Sequence, residues 1–165
     1  MRRGAALTRL AAAIGLTLGA LGNPIRPAAA DSWGGIVPGE STLRDVQARF
    51  GSPTRERSVV DEGRTAAEWT YFGDRAPAGL ERMVVSFGLL GPAGFVPDVV
   101  RGLVIYPKPR VFSLGNITAG WGTPDAVGSD EQTGQVALRY DRRGVLIILD
   151  RTETWAEVIL FAPGR

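Results

Sequence analysis

Five carboxylates lie on or beside alternating apolar runs: Glu68, Asp141, Asp150, Glu153 and Glu157. The chain contains no His and no Cys, so Asp and Glu are the main groups left for proton transfer. A glycosidase-like carboxylate pair is the chemistry they could perform. The same two absences remove Ser-His-Asp and Cys-His nucleophile systems, His/Cys zinc or copper centres, and any disulfide framework. Glu68 stands between Ala67 and Trp69, and Glu157 between Ala156 and Val158. Strand alternation therefore turns both acids to the face opposite the aromatic residues. Pairing with neighbours such as Arg139 or Arg151 accounts for such acids as solvated strand charges. Asp150 and Glu153, with Thr152 and Thr154, have the composition of a weak calcium turn but not the spacing of an EF-hand, and a turn-forming Asp explains them more simply. No G-x-S-x-G, P-loop or dinucleotide fingerprint occurs. The sequence leads us to expect no enzyme, no cofactor and no metal.

A second kind of site is a binding surface. Residues 88–98, Gly-Leu-Leu-Gly-Pro-Ala-Gly-Phe-Val-Pro-Asp, separate two strand-like runs and contain Leu89, Leu90, Phe95 and Val96 with little charge to solvate them. Hairpin loops usually hold about two to five residues, so a long apolar one marks a surface for a partner if exposed. The competing reading folds these side chains over the core. Trp33, next to Gly34-Gly35, is expected to be exposed and joins the binding candidates, whereas Trp121 is expected in the core.

The elements that must position these residues come in two similar sets. At an offset of 71 residues, Leu43, Val46, Ala48, Phe50, Gly51, Ser52 and Pro53 lie over Leu114, Ile117, Ala119, Trp121, Gly122, Thr123 and Pro124. The apolar spacing i, i+3, i+7 is one face of a short helix. Thr42-x-x-Asp45 is a capping box for the first helix. A Gly followed two residues later by Pro stops each one. Strand-like runs follow at 65–72, 82–87 and 99–106, and again at 135–141, 145–149 and 155–161, with turns at Asp141–Gly144 and Asp150–Thr154. Pro107-Lys-Pro-Arg110 reads as the linker. The expected fold is α+β: two tandem repeats, each a helix plus a three-stranded antiparallel meander, packed together, with residues 31–109 and 110–165 as the units.

The first thirty residues read as an address. Arg2, Arg3 and Arg9 precede or open an apolar stretch over 10–21, and Ala28-Ala29-Ala30 precedes Asp31. These are the parts of a secretory signal peptide cleaved between Ala30 and Asp31. The stretch is shorter than the roughly 20 residues that span a bilayer. An uncleaved leader is the alternative, and the only route to membrane contact. The whole chain carries a formal charge of +2, but its leader holds Arg2, Arg3, Arg9 and Arg26 and no acid, leaving 15 basic against 17 acidic residues in the exported part. Nucleic-acid binding thereby loses its support from composition.

The run Ile36-Val-Pro-Gly39-Glu-Ser41-Thr42-Leu43-x-x-Val46-x-x-x-Phe50-Gly51-x-Pro53 resembles the opening of the SmpA/OmlA (BamE-like) domain, a short motif also found in each half of the β-lactamase inhibitory protein-like fold. The second copy has Phe112-Ser113 in place of Pro-Gly. The resemblance implies an α+β envelope or secreted protein that works by binding other proteins. With no Cys after the leader, no lipid anchor can form. The expected function is thus an exported, periplasmic or secreted, non-catalytic module whose partner is another envelope or secreted protein. A structural envelope role without a discrete site is the alternative, and a carboxylate-based hydrolase a further one.

Overall fold

The computed structural model describes residues 31–164 apart from Gln132. The leader expected over residues 1–30, with its cleavage residue Ala30, lies outside the described residues. Two eight-residue helices, α1 (Leu43–Phe50) and α2 (Leu114–Trp121), accompany eight strands: β1 (Arg55–Asp61), β2 (Arg64–Phe72), β3 (Leu80–Gly91), β4 (Gly94–Pro107), β5 (Ala126–Ser129), β6 (Val136–Tyr140), β7 (Val145–Leu149) and β8 (Ala156–Phe161). The strands form one antiparallel sheet in the order β1-β2-β3-β4-β8-β7-β6-β5.

This corrects the expected fold. The chain is not two helix-plus-three-stranded units but one continuous, sheet-dominated layer with two short helices on it. The six anticipated strand runs are strands, yet β1 and β5 were not foreseen. Both are edge strands: β1 reads Arg-Glu-Arg-Ser-Val-Val-Asp and is almost wholly exposed, and β5 has only four residues. Neither carries the alternation that announces a half-buried strand. Charge on β1 and brevity in β5 are common defences of a sheet edge against stray pairing. The segment expected as a loop over 88–98 is also strand. β3 and β4 pair as far as Gly91↔Gly94, leaving Pro92-Ala93 as the turn, with a register irregularity at Gly88.

One face of the sheet is the core. Its rungs cross the molecule without interruption: Tyr71–Met83–Ile105–Ile159–Ile147–Leu138 is one, and Trp69–Val85–Leu103–Phe161–Val145–Tyr140 the next. All twelve are buried in a single cluster with Val46 of α1 and Ile117 of α2. β4 and β8 join the two ends of the sheet through Leu103↔Phe161, Val104↔Leu160 and Ile105↔Ile159.

The helices are pinned to this face at both ends. Thr42 caps α1 in a reciprocal box with Asp45, and Ser113 caps α2. The same two capping residues bridge to Val99 and Trp155. At the other ends, the Tyr71 hydroxyl donates to the Gly51 carbonyl at 3.0 Å and that of Tyr140 donates to the Gly122 carbonyl at 3.1 Å. Aromatic contacts complete the seating: Phe50 meets Tyr71, while Trp121 meets Tyr140 and Phe161.

Burial pushes the Tyr71 hydroxyl up to about 12 from its ordinary 10.0. Its folded value thus lies above its unfolded one, so its contribution is complete below pH 10 and is lost as the pH rises towards 12. Alkaline thermal melts should therefore show stability falling through that window. Tyr71→Phe should flatten this part of the fall and cost about 1 kcal/mol at neutral pH through the lost hydrogen bond.

Candidate open-face binding surface

The helices cover one face of the sheet, and the other carries a second apolar pattern. Reading across the strands, the rung Thr70–Val84–Val104–Leu160–Leu146–Arg139 lies on that face. Its four central side chains are half-buried although neither helix packs there. Beside it, Val158–Ile148–Ala137 forms a further rung. These three are buried but stand outside the main core cluster. Three strands, β4, β7 and β8, are therefore apolar on both faces, a pattern usual for strands buried on both sides. Neither helix lies on this face, since Val46 and Ile117 join the core cluster on the other.

Polar and aromatic groups surround these rungs. Phe72, Arg82 and Tyr106 pair in a row across β2, β3 and β4. The Arg82 guanidinium lies 3.8 Å from the Tyr106 ring centre and that of Arg55 lies 5.9 Å from Phe72. Arg57 meets Glu68 at 2.6 Å, and Arg139 grips both oxygens of Asp141 at 2.8 Å. At the hairpin end, a side chain on Gly88, whose φ is +85°, would strike Ala66 and the Phe95 ring. Phe95 therefore lies over the open face, with Arg64 6.0 Å from its ring centre.

The binding residues expected from sequence separate. Leu90 and Val96 are exposed, at 58% and 46%, while Leu89 and Phe95 are half-buried. Leu90 pairs with Phe95 and Leu89 with Val96, so this segment presents two small apolar patches on a paired hairpin rather than one loop. Trp33 is half-buried and stacks on Phe50 at 5.6 Å, beside α1 and away from the open face. Asp31, expected to follow the cleavage point, pairs with Arg143 at 3.2 Å.

Four of the five carboxylates are held by local partners. Glu68 is bound to Arg57, Asp141 to Arg139, and Glu157 accepts from Gln135 at 2.7 Å. Glu153 occupies a turn with φ of 56°. Asp150 closes the same turn. Partial burial raises its carboxyl pKa, but hydrogen bonds from the Thr152 hydroxyl and the N–H groups of Thr154, Trp155 and Thr152 outweigh this and hold it below the usual value. Among the described residues no three acids gather as a metal site would require. No helix among them is long and apolar enough to cross a membrane.

Sequence reading missed Val84, Val104, Leu146, Leu160, Arg82 and Tyr106. A signal existed in the continuous apolar run 145–149, which leaves no polar face for solvent. It is read there only as a central position in the sheet.

The fold and this surface define a class: a single antiparallel sheet with helices on one side and a partly apolar face without a helix on the other. A solved structure of similar fold is that of a DUF4309 family protein (YjgB) from Bacillus subtilis subsp. subtilis str. 168, with a TM-score of 0.50 and 16% identity over 78% of this chain and 82% of that one. No protein-family model and no curated protein matches the chain. The resemblance to the SmpA/OmlA (BamE-like) domain is overturned by this similarity and by the eight-stranded sheet. The matched residues specify a capped helix and its Gly-x-Pro stop, a local device that fixes about fifteen residues and not the strands that follow.

Proposed function

We propose that the chain is an exported, non-catalytic protein-binding module whose binding surface is the open face of the sheet. The observation that carries this reading is the rung Val84–Val104–Leu160–Leu146, four half-buried apolar side chains in a row on the face that carries neither helix. A contiguous apolar row that solvent still reaches is the kind of surface a protein partner covers. The local partners of Glu68, Asp141, Asp150 and Glu157 support a non-catalytic role, and the leader composition supports export.

The test is Leu160→Thr, which keeps strand propensity and removes apolar contact. It should change stability by no more than about 1 kcal/mol. A photo-crosslinker placed at Val104 in producing cells should capture a defined partner protein, and Leu160→Thr should reduce that capture at least tenfold. Capture only from a crosslinker at Asn116 on α2, or capture indifferent to Leu160→Thr, would place the binding surface elsewhere.

A further inference from the structure

The charges bordering the open face are unequally satisfied. Arg57 and Arg139 are matched by Glu68 and Asp141. Arg55 and Arg82 are absent from every ion pair among the described residues; the Arg82 guanidinium lies close over the Tyr106 ring, and that of Arg55 is within cation-π reach of Phe72. They occupy one end of the face, on β1 and β3, with Phe72 and Tyr106 between and beside them. Val84, two residues along β3 from Arg82, begins the apolar rung. A guanidinium over a ring face without a carboxylate partner keeps N–H donors free for an anion, and its planar fork is pre-organised to engage one. The planar fork fits a carboxylate through two parallel hydrogen bonds.

Resting on the reading of this face as a binding surface, we infer that its partner is an acidic protein surface. Apolar side chains cover Val84, Val104, Leu160 and Leu146 while Asp or Glu residues at one end engage Arg55 and Arg82. A protein partner fits better than nucleic acid or polyphosphate. The cations are continuous with an apolar rung that a phosphate backbone cannot cover, and residues after 30 carry fewer bases than acids.

The experiment pans a random dodecapeptide library on the immobilised full secreted chain and, in parallel, on Arg55→Gln/Arg82→Gln, Arg82→Lys and Leu160→Thr variants whose folding is confirmed by circular dichroism. The wild-type chain should select peptides rich in Asp and Glu beside apolar residues. The strongest, made synthetically, should bind the double variant at least tenfold more weakly, and should be weakened less by Arg82→Lys, which retains charge without the planar fork. Acid-free peptides that tolerate the double variant but not Leu160→Thr would overturn the acidic partner and leave the surface standing. Failure of the wild-type chain to select any peptide, or selection indifferent to all variants, would overturn both. Displacement of the peptide by inorganic polyphosphate, with polyphosphate affinity sensitive to the arginines and not to Leu160, would make the rung a phosphate site and overturn the protein partner.

Discussion

Ile159→Ala is expected to lower the unfolding free energy by about 2–5 kcal/mol, the range for truncating a fully buried aliphatic side chain. Ile159 is wholly buried and lies between Ile105 and Ile147 on the central core rung. Its strand makes the connection to β4, so the loss falls on the junction that unites both ends of the sheet. Urea unfolding followed by circular dichroism and by tryptophan fluorescence should shift to lower midpoint as one coincident transition. Trp69 reports from one side of that junction and Trp121 from the other. Separate transitions would show two independently folding halves instead. As a reference, Val60→Ala, at a side chain 68% exposed, should change stability by no more than about 0.5 kcal/mol.

Gly144→Ala should be comparably severe for a different reason. Gly144 has a φ of 66°, and a methyl group there would run into the carbonyl group of Ala162. The obstruction is backbone, held in place by the hydrogen bond from the Ala162 N–H to the Gly144 carbonyl, so it cannot rotate away as a side chain could. A left-handed conformation costs an L-residue about 1–2 kcal/mol. Displacing the end of β8 brings the expected loss above about 3 kcal/mol. Gly63→Ala separates the two contributions. Its φ is 75° but nothing lies within 4 Å of the added carbon, so only the conformational cost of about 1 kcal/mol remains. Equal melting temperatures for the two variants would contradict the steric part of this account.

What the sequence disclosed follows from which residues carry a periodic signal. Trp69/Tyr71 and Met83/Val85/Phe87 alternate because one face of their strands is core, and they were legible as strands. The helix ends were legible too, since Thr42, Asp45, Gly51 and Gly122 act through local chemistry. β1 was illegible because an edge strand meets water on most of its length, so Arg55, Glu56 and Arg57 have no apolar alternation to display. Residues 88–98 were misread because Gly88, Gly91 and Gly94 are usual turn markers. Here Gly88 gives space to Phe95 at an irregularity within the strand, while Gly91 and Gly94 form the last pair before a two-residue turn. The open face stayed hidden for a different reason. Val84 and Val104 come from the two strands of one hairpin and Leu160 from β8, more than fifty residues on, and only pairing register brings them into one row. The BamE-like resemblance failed on the same ground, since a short helix motif holds no information on sheet register.

The turn at Asp141–Gly144 has one more consequence. The Asp31 N–H donates to the Arg143 carbonyl at 3.0 Å, and the Ala162 N–H donates to the next carbonyl, that of Gly144, at 2.8 Å. The first and last parts of the described chain are thus moored to adjacent peptide groups. The exposed connection at Lys108–Arg110 lies between the two helix-and-strand sets. Tying residue 164 to residue 31 through a short linker and opening the chain at that connection would give a circular permutant with the same sheet order. In such a molecule β8 would precede β1 along the chain while still lying beside β4, so the architecture is closer to a ring with one arbitrary cut than to a line with a fixed beginning.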